Sequence, residues 1–341
     1  MTVLVTGGSG LVGSHVIEAL RAGTPGHTVR ALVRSPARAA LVERLGADPV
    51  IGDVTDPAAW RRAAIGARSI VHAAALVQQR ATWEQFLAIN VGGTRLAVAT
   101  ARAAGARLVH LSSVSVYGGT ASYPAAREQR REDFPFDPIR ESDFYARTKR
   151  LAEEVIREES ARSGLSAAAI RPNVIYGERD RLFTARLVRA ARLGVIPQLG
   201  PGTNHLSCVY AGNVAAAVVA ALDAPIPGFR AYNVTTDAPP TLTEREFLAA
   251  FAETLGVTLR RPRVPRILIR TGLALWTRWQ RLRSPTAYAG LGGAAVSFLT
   301  GENPYVAELA RDELGWHPPF AAREAIHRTV AWFLENEKPG R

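Results

Sequence analysis

Short apolar runs alternate along the chain with stretches whose apolar residues return every three or four positions. Val3-Leu4-Val5 is a strand-like run ending in a glycine turn, and residues 11–20 follow with helical spacing. The alternation repeats, predicting strands over 28–33, 49–52, 69–72, 108–112 and 167–170 and helices over 83–104 and 142–163. Ser35-Pro36 and Asp56-Pro57 mark further helix starts, because a small polar side chain suits the cap and proline the first helical position. This order implies an α/β fold: a mostly parallel sheet flanked by helices, with right-handed crossovers.

After Arg171 the rhythm changes. Residues 182–193 read as a helix, 194–204 as a turn-rich passage, and 208–222 as a strand-like start running into an alanine-rich helix. Tyr232-Asn233-Val234 reads as another strand of the main sheet. Thr243 with Glu246 is a capping-box signal for a helix through Leu255, and 305–337 holds two amphipathic segments. The expected organisation is a dinucleotide-binding domain over 1–171 completed by 208–235. A smaller, mixed substrate-binding lobe is expected over 172–207 and 236–330, with 331–341 as helix end and tail.

Composition narrows the class. A 341-residue chain with 47% hydrophobic residues can fill substantial cores. The net charge of +12 raises the question of nucleic acid, but 40 of the 42 basic residues are arginines scattered among acids, and lysine occurs only at Lys149 and Lys338. We read this as an arginine-biased solvated surface and expect no nucleic-acid partner. The single cysteine, Cys208, excludes an intrachain disulfide. The amino terminus shows no basic region followed by a secretory apolar stretch. The most membrane-like tract, 267–279, is interrupted by Arg270 and Arg278 and is too short to span a bilayer core of about 30 Å; it reads as a core helix or an interfacial one. The expectation is a cytoplasmic enzyme with no transmembrane span.

Candidate chemistry sits at the strand ends. Gly7, Gly10 and Gly13 lie in TGGSGLVG, between the first strand and first helix. Glycine there permits a tight turn and close approach of a pyrophosphate, while the N–H groups opening the helix at Leu11 and Val12 favour the anion. The second strand ends in VRALVRSP, with Arg34 where an acid would select the free ribose of NAD(H). A guanidinium there suits the extra phosphate of NADP(H), with Arg38 a weaker candidate and Arg30 of unassigned direction. Asp53, followed by Val54, can face the adenine or cap the short helix that starts near Asp56.

Tyr145 and Lys149 stand four apart, on one face of the predicted 142–163 helix. A phenol exchanges a proton with a substrate oxygen while hydride moves at the adjoining carbon. Its free pKa near ~10 calls for a positive neighbour, which Lys149 supplies. One of only two lysines in an arginine-rich chain occurs here, and an ammonium can relay a proton where guanidinium stays charged. Ser113, just past the fifth strand, can hold the substrate oxygen. Ser112 and Ser115 are competitors for that role.

With these motifs in place the chain resembles the extended short-chain dehydrogenase/reductase family, which includes nucleotide-sugar epimerases, dihydroflavonol reductases and beta-hydroxysteroid dehydrogenase relatives. Beyond the glycine turn and the Tyr145–Lys149 pair, the resemblance runs through His72-Ala73-Ala74, Asn90-Val91-Gly92-Gly93-Thr94, Ser112-Ser113-Val114, Arg171-Pro172-Asn173, Val209-Tyr210-Ala211-Gly212-Asn213 and Leu314-Gly315-Trp316. It implies Tyr145 as acid/base, Lys149 as pKa-lowering and ribose-binding residue, and Ser113 as partner of the reacting oxygen. Ala73 and Ala74 are implied beside the cofactor, Pro172 and Asn173 at the nicotinamide and substrate rim, and Asn90 as a structural helix residue. It also implies pairing through helices 84–104 and 144–162, hence a homodimer. Val114 and Ser115 stand where the family's dehydratases carry an acidic pair, so elimination is disfavoured. The expected activity is hydride transfer between NADP(H) and a carbonyl or secondary alcohol of a lipophilic small molecule. The alternatives are a nucleotide-sugar epimerase with bound NAD(P), for which Asn173, Arg189 and His205 are candidate diphosphate contacts, and a non-catalytic cofactor-binding scaffold.

Overall fold

Leu4 faces one side of the first strand and Val3 and Val5 the other, and all three are fully buried. Such a strand needs cover on both faces, and the computed structural model supplies it. It describes residues 1–23, 28–77, 81–118, 129–263 and 298–336. The strands are β1 (Thr2–Thr6), β2 (Thr28–Val33), β3 (Asp48–Ile51), β4 (Ala67–His72), β5 (Arg107–Leu111), β6 (Ala167–Pro172), β7 (Val174–Tyr176), β8 (Cys208–Tyr210) and β9 (Phe229–Val234). Seven form one sheet in the order β3-β2-β1-β4-β5-β6-β9, with every pair parallel. The order reverses direction at β1, so β1 and β4 flank the crevice where such sheets bind ligands at their carboxyl ends.

One face packs on α1 (Leu11–Ala22) and α8 (Ala211–Asp223), through Val16, Ile17, Val214 and Val218. The other packs on α3 (Pro57–Ala63), α5 (Gly93–Ala104) and α6 (Phe144–Ser163), through Trp60, Ala97, Val98 and Ile156. Asp56 caps α3 with both carboxylate oxygens, toward the N–H groups of Ala58 and Ala59. Ser35 occupies the cap position of α2 (Pro36–Arg44) without a side-chain bond, so proline's fixed φ opens that helix. The predicted 83–104 helix is not uniform. It runs from α4 (Trp83–Phe86) through a π-helical turn (Leu87–Gly92) into α5.

A third cluster gathers Tyr176, Val188, Phe247, Phe251, Ile326 and Phe333. It joins α7 (Phe183–Arg192), α9 (Glu244–Thr254) and, after α10 (Glu308–Leu314), the helix α11 (Ala322–Asn336). The capping box of Thr243 and Glu246 forms at the start of α9. Cys208 begins a strand that pairs with β7 in a separate two-stranded sheet, and β7 itself, three residues long, carries no sequence signal strong enough to anticipate it. The 267–279 tract lies outside the described residues. Among those described, no helix is long and apolar enough to cross a membrane.

Candidate active site

The glycine turn joins β1 to α1 by its backbone alone. Gly7 is left-handed at φ 70°, and a Cβ on it would meet the backbone of Ala73 and Ala74 at 2.7 Å. A Cβ on Gly13 would meet the Gly7 carbonyl oxygen at 2.2 Å. Gly10 N–H donates to the Gly7 carbonyl at 2.8 Å, and no side chain caps α1. The turn is therefore closed on itself, and no side chain caps the first N–H groups of α1, at Leu11 and Val12, where a helix start favours an anion. Ala73 and Ala74, half-buried past β4, are held to the end of β1: Ala73 N–H donates to the Thr6 carbonyl at 3.2 Å and Ala74 N–H to Thr6 Oγ1 at 3.3 Å. A cradle that any side chain would fill, beside an uncapped helix end, fits a dinucleotide pyrophosphate.

Arg34 is exposed at the tip past β2. Arg38, on α2, turns to the glycine turn and donates from Nη1 to Ser9 Oγ at 2.9 Å. Arg30 is directed elsewhere, bonding the carbonyls of Ala63 and Ile65 at 2.9 and 2.7 Å. Asp53 closes a local turn, accepting from the N–H and hydroxyl of Thr55 at 2.9 and 2.8 Å. The helix cap belongs to Asp56, which leaves Asp53 and the buried Val54 at the end of the β3 edge.

Two strands along from β1, at the end of β5, the serine competition resolves. Ser112 is buried and donates to Glu153 Oε1 at 2.5 Å. Ser115 Oγ is enclosed without a partner among the described residues. Ser113 is half-buried, accepts from Ser115 N–H at 3.2 Å and stands near enough to the Tyr145 phenol to pull its pKa down. Tyr145 enters from the first turn of α6, where Asp143 caps the helix through Ala146 N–H at 3.1 Å. Burial, offset in part by the nearby Ser113 hydroxyl and reinforced by the Asp143 charge, pushes the phenol up to about 12. Lys149 lies one turn on and is buried. Its Nζ donates to the Leu111 carbonyl at 2.6 Å and sits 5.9 Å from the Tyr145 ring centre. Burial lowers its pKa to about 8, against the pull of the Glu153 carboxylate. The structure thus brings Ser113, Tyr145 and Lys149 to one strand end, but the expected lowering of the phenol's pKa by Lys149 is not found: burial dominates and the phenol is raised, so it is protonated at neutral pH.

The π-helical turn serves this cluster. Asn90 accepts from Leu76 N–H at 2.7 Å and donates to the Leu76 carbonyl at 3.1 Å and to Thr148 Oγ1 at 3.0 Å. It ties the loop carrying Ala73 and Ala74 to the helix carrying Tyr145 and Lys149. Behind them, Arg171 forms a bidentate bond to Glu153 at 2.9 and 2.6 Å and reaches Tyr117 Oη at 2.9 Å; Tyr117 in turn donates to Asn233 at 2.8 Å. Glu153 stands four residues past Lys149, and that spacing was the available signal for it. Tyr117 and Asn233 carried none, because their link depends on β9 joining the sheet beside β6.

Pro172 ends β6 beside this cluster. Asn173 is buried, donating to Ser207 Oγ at 3.1 Å and the Thr235 carbonyl at 2.9 Å, with its Oδ1 enclosed and unpaired among the described residues. His205 is apart, against Glu302, and Arg189 lies exposed on α7. Residues 3–235, from β1 through β9 and so including every element of this site, match the family model described as NAD dependent epimerase/dehydratase family.

The chain belongs to the NAD dependent epimerase/dehydratase family. It is 32% identical to the 4-hydroxy-2-methyl-3-oxo-4-farnesyl-3,4-dihydroquinoline-1-oxide ketoreductase of Stigmatella aurantiaca over 93% of this chain and 92% of that protein. It is 31% identical to the ceramide reductase of Caulobacter vibrioides, over 97% and 94%. Its fold matches a crystal structure of UDP-glucose 4-epimerase with UDP-glucose from Thermotoga maritima at a TM-score of 0.74 and 18% identity, covering 98% of this chain and 99% of that one. The protein is accordingly an NAD(P)-dependent enzyme of the extended short-chain dehydrogenase/reductase type. In this epimerase/dehydratase family member, the glycine turn and the Tyr145–Lys149 helix occupy adjoining strand ends of one parallel sheet.

Proposed function

We propose that the protein is an NADP(H)-dependent ketoreductase of a lipophilic small molecule, with Tyr145 as proton donor, Ser113 as its partner at the substrate oxygen and Lys149 as the supporting cation. One observation carries this reading: the Tyr145 phenol, close enough to Ser113 to be held down by its hydroxyl, has the buried Lys149 ammonium one turn on along the same helix face. The nicotinamide cofactor supplies hydride when bound. Tyr145 gives its proton to the carbonyl oxygen, and the Ser113 hydroxyl donates to that oxygen as charge builds on it. Lys149, anchored at the Leu111 carbonyl, stabilises the phenolate left behind. Gly7, Gly10, Leu11 and Val12 would hold the pyrophosphate, Asp53 and Val54 the adenine, Ala73, Ala74 and Pro172 the cofactor's inner flank, and Asn173 the substrate rim.

NADP(H) over NAD(H) is supported by Arg34 and Arg38 at the β2 end, where no acid stands. The lipophilic substrate is supported by two relatives, one a ketoreductase of a farnesylated quinoline oxide and the other a ceramide reductase. A homodimer through α5 and α6 and a cytoplasmic location complete the reading, with sedimentation of the full chain as the check on the former.

The test is NADPH oxidation with a prenylated or long-chain ketone. We expect turnover that falls about 100-fold or more in Tyr145→Phe with cofactor binding retained. Inversion of UDP-glucose without net NADPH loss would instead select the epimerase reading, and cofactor binding with neither reaction would select the scaffold.

A further inference from the structure

The helix α7 turns two different faces to its surroundings. Thr184, Val188 and Ala191 are buried, Val188 within the third cluster. On the opposite side Leu182, Arg186, Arg189 and Leu193 recur at helical spacing and all are exposed, so they form one outward row. Both ends of the row are apolar. Leu182 is 46% exposed, and Leu193, at 78%, is the most exposed large apolar side chain among the described residues. The row is fixed at its start. Arg179 donates to Ser14 Oγ of α1 at 2.8 Å and pairs with Glu18 at 2.6 Å, while Asp180 accepts from Leu182 N–H at 2.8 Å and Thr184 N–H at 2.6 Å.

Past α7 a second basic row lies beside the first. Arg260 N–H donates to the Gly194 carbonyl at 2.8 Å, and Ile196 and Gln198 N–H donate to the carbonyls of Arg260 and Pro262 at 3.1 and 3.0 Å. The ladder pairs Val195 with Arg260 and Gln198 with Arg263. Val195, 45% exposed, and the exposed Arg260 and Arg263 thereby extend the surface that Leu193 begins.

Charge on this surface is one-sided. The sequence has no Asp or Glu from Arg181 to Leu222, nor over 254–263. On the neighbouring α9, Glu244 pairs with Arg261, Glu253 with Arg323, and Glu246 closes the capping box. Among the described residues Arg186, Arg189, Arg260 and Arg263 form no ion pair. Arginine in a last helical turn answers the helix dipole, which accounts for Arg189 but not for the second row or the exposed leucine beside it. Guanidinium groups interleaved with exposed aliphatic side chains match a surface that is anionic outside and apolar just beneath, as an acidic bilayer is. A nucleic-acid backbone would answer the charges and leave Leu182, Leu193 and Val195 without apolar contact.

We propose that the α7 row, with Val195, Arg260 and Arg263, docks the protein peripherally on an anionic lipid bilayer. The inference does not depend on the ketoreductase reading. For an enzyme of a lipophilic substrate, it would bring the substrate lobe to the phase that holds that substrate.

The experiment sediments the full chain with vesicles of phosphatidylcholine alone and of phosphatidylcholine with about one third phosphatidylglycerol. Binding is expected on the anionic vesicles only, falling about tenfold or more between about 0.05 and 0.5 M salt as the charges are screened. Arg186→Gln with Arg189→Gln should lower the partition coefficient about 25-fold, roughly fivefold per charge. Leu193→Gln should lower it about fivefold through lost apolar burial. Arg44→Gln with Arg61→Gln removes the same charge from α2 and α3 and should change binding by no more than about threefold. All these side chains are exposed, so urea unfolding should match the wild type. If the α2–α3 pair weakens binding as much as the α7 pair, only net charge is being sensed and the face is wrong. Equal binding to both vesicles, or to neither, overturns the proposal. Binding of a random DNA duplex that the α7 pair abolishes, with no vesicle binding, would give the face to nucleic acid instead.

Discussion

At the scale of single residues, Lys149 costs stability at the position where the proposed mechanism uses it. Its ammonium is taken out of water for one carbonyl bond, and its pKa falls from 10.5 to about 8. Between those values the unfolded chain binds more protons than the folded one, so this residue's penalty is full below pH 8 and is relieved as pH rises toward 10.5. The shift corresponds to a penalty of about 3 kcal/mol. Lys149→Met should therefore abolish reduction without destabilising the fold at pH 7, as urea unfolding would register. The pH profile follows from the same value. Tyr145, at about 12, stays protonated through neutral pH, so kcat/KM for ketone reduction should be flat below about pH 8 and decline above it as Lys149 loses its proton. A flat profile to pH 10 would contradict the assigned role of the ammonium. The Tyr145–Lys149 spacing was readable in the sequence because a helix face repeats every four residues. The choice of Ser113 over Ser112 was not, since it turns on Glu153 claiming Ser112 from another element.

Among the elements, the π-helical turn over Leu87–Gly92 separates what periodicity can anticipate from what it cannot. Apolar spacing predicts a helix over 83–104. One extra residue in a turn leaves that spacing nearly intact, yet it aims Asn90 at both Leu76 and Thr148. Asn90→Leu keeps the volume and removes all three bonds, leaving the Leu76 backbone to find other partners. We expect kcat to fall about tenfold or more, since small misplacements of catalytic groups are costly. Cofactor affinity should also weaken, because the loop carrying Ala73 and Ala74 loses its tie. Unchanged kinetics in a folded Asn90→Leu protein would reduce Asn90 to packing.

Across the whole molecule, the Arg171–Glu153 pair holds the site's floor. It joins the end of β6 to α6 and, through Tyr117 and Asn233, to β9, with side chains only 1% and 2% exposed. A buried ion pair is weak evidence for net stability, but breaking one leaves an uncompensated charge. Arg171→Met should destabilise the protein by about 3–5 kcal/mol in urea unfolding, and adding Glu153→Leu should restore much of that loss. If the double variant is no more stable than the single, the charge pair is not what Arg171→Met removes. A second seam lies at Asp237, whose carboxylate gathers Tyr176 Oη at 2.5 Å, Tyr210 N–H at 2.8 Å and Asn213 Nδ2 at 2.7 Å. These three donors bind the small β7–β8 sheet to α8 and hence to the main core.

By itself the sequence determined the elements and their order, because strand and helix periods, caps and glycine turns are local properties of neighbouring residues. It also determined the chemical types at the strand ends, from the glycines of the first turn to the phenol and ammonium four residues apart. Tertiary structure alone decided which of equivalent candidates meet. Ser112 goes to Glu153 and leaves Ser113 to Tyr145, Arg30 turns to α3 while Arg38 turns to Ser9, and a loop more than 160 residues from α1 is bonded to it. The reason is physical: a side chain's partner across the fold depends on how sheets and helices stack, and no window of neighbouring residues contains that distance.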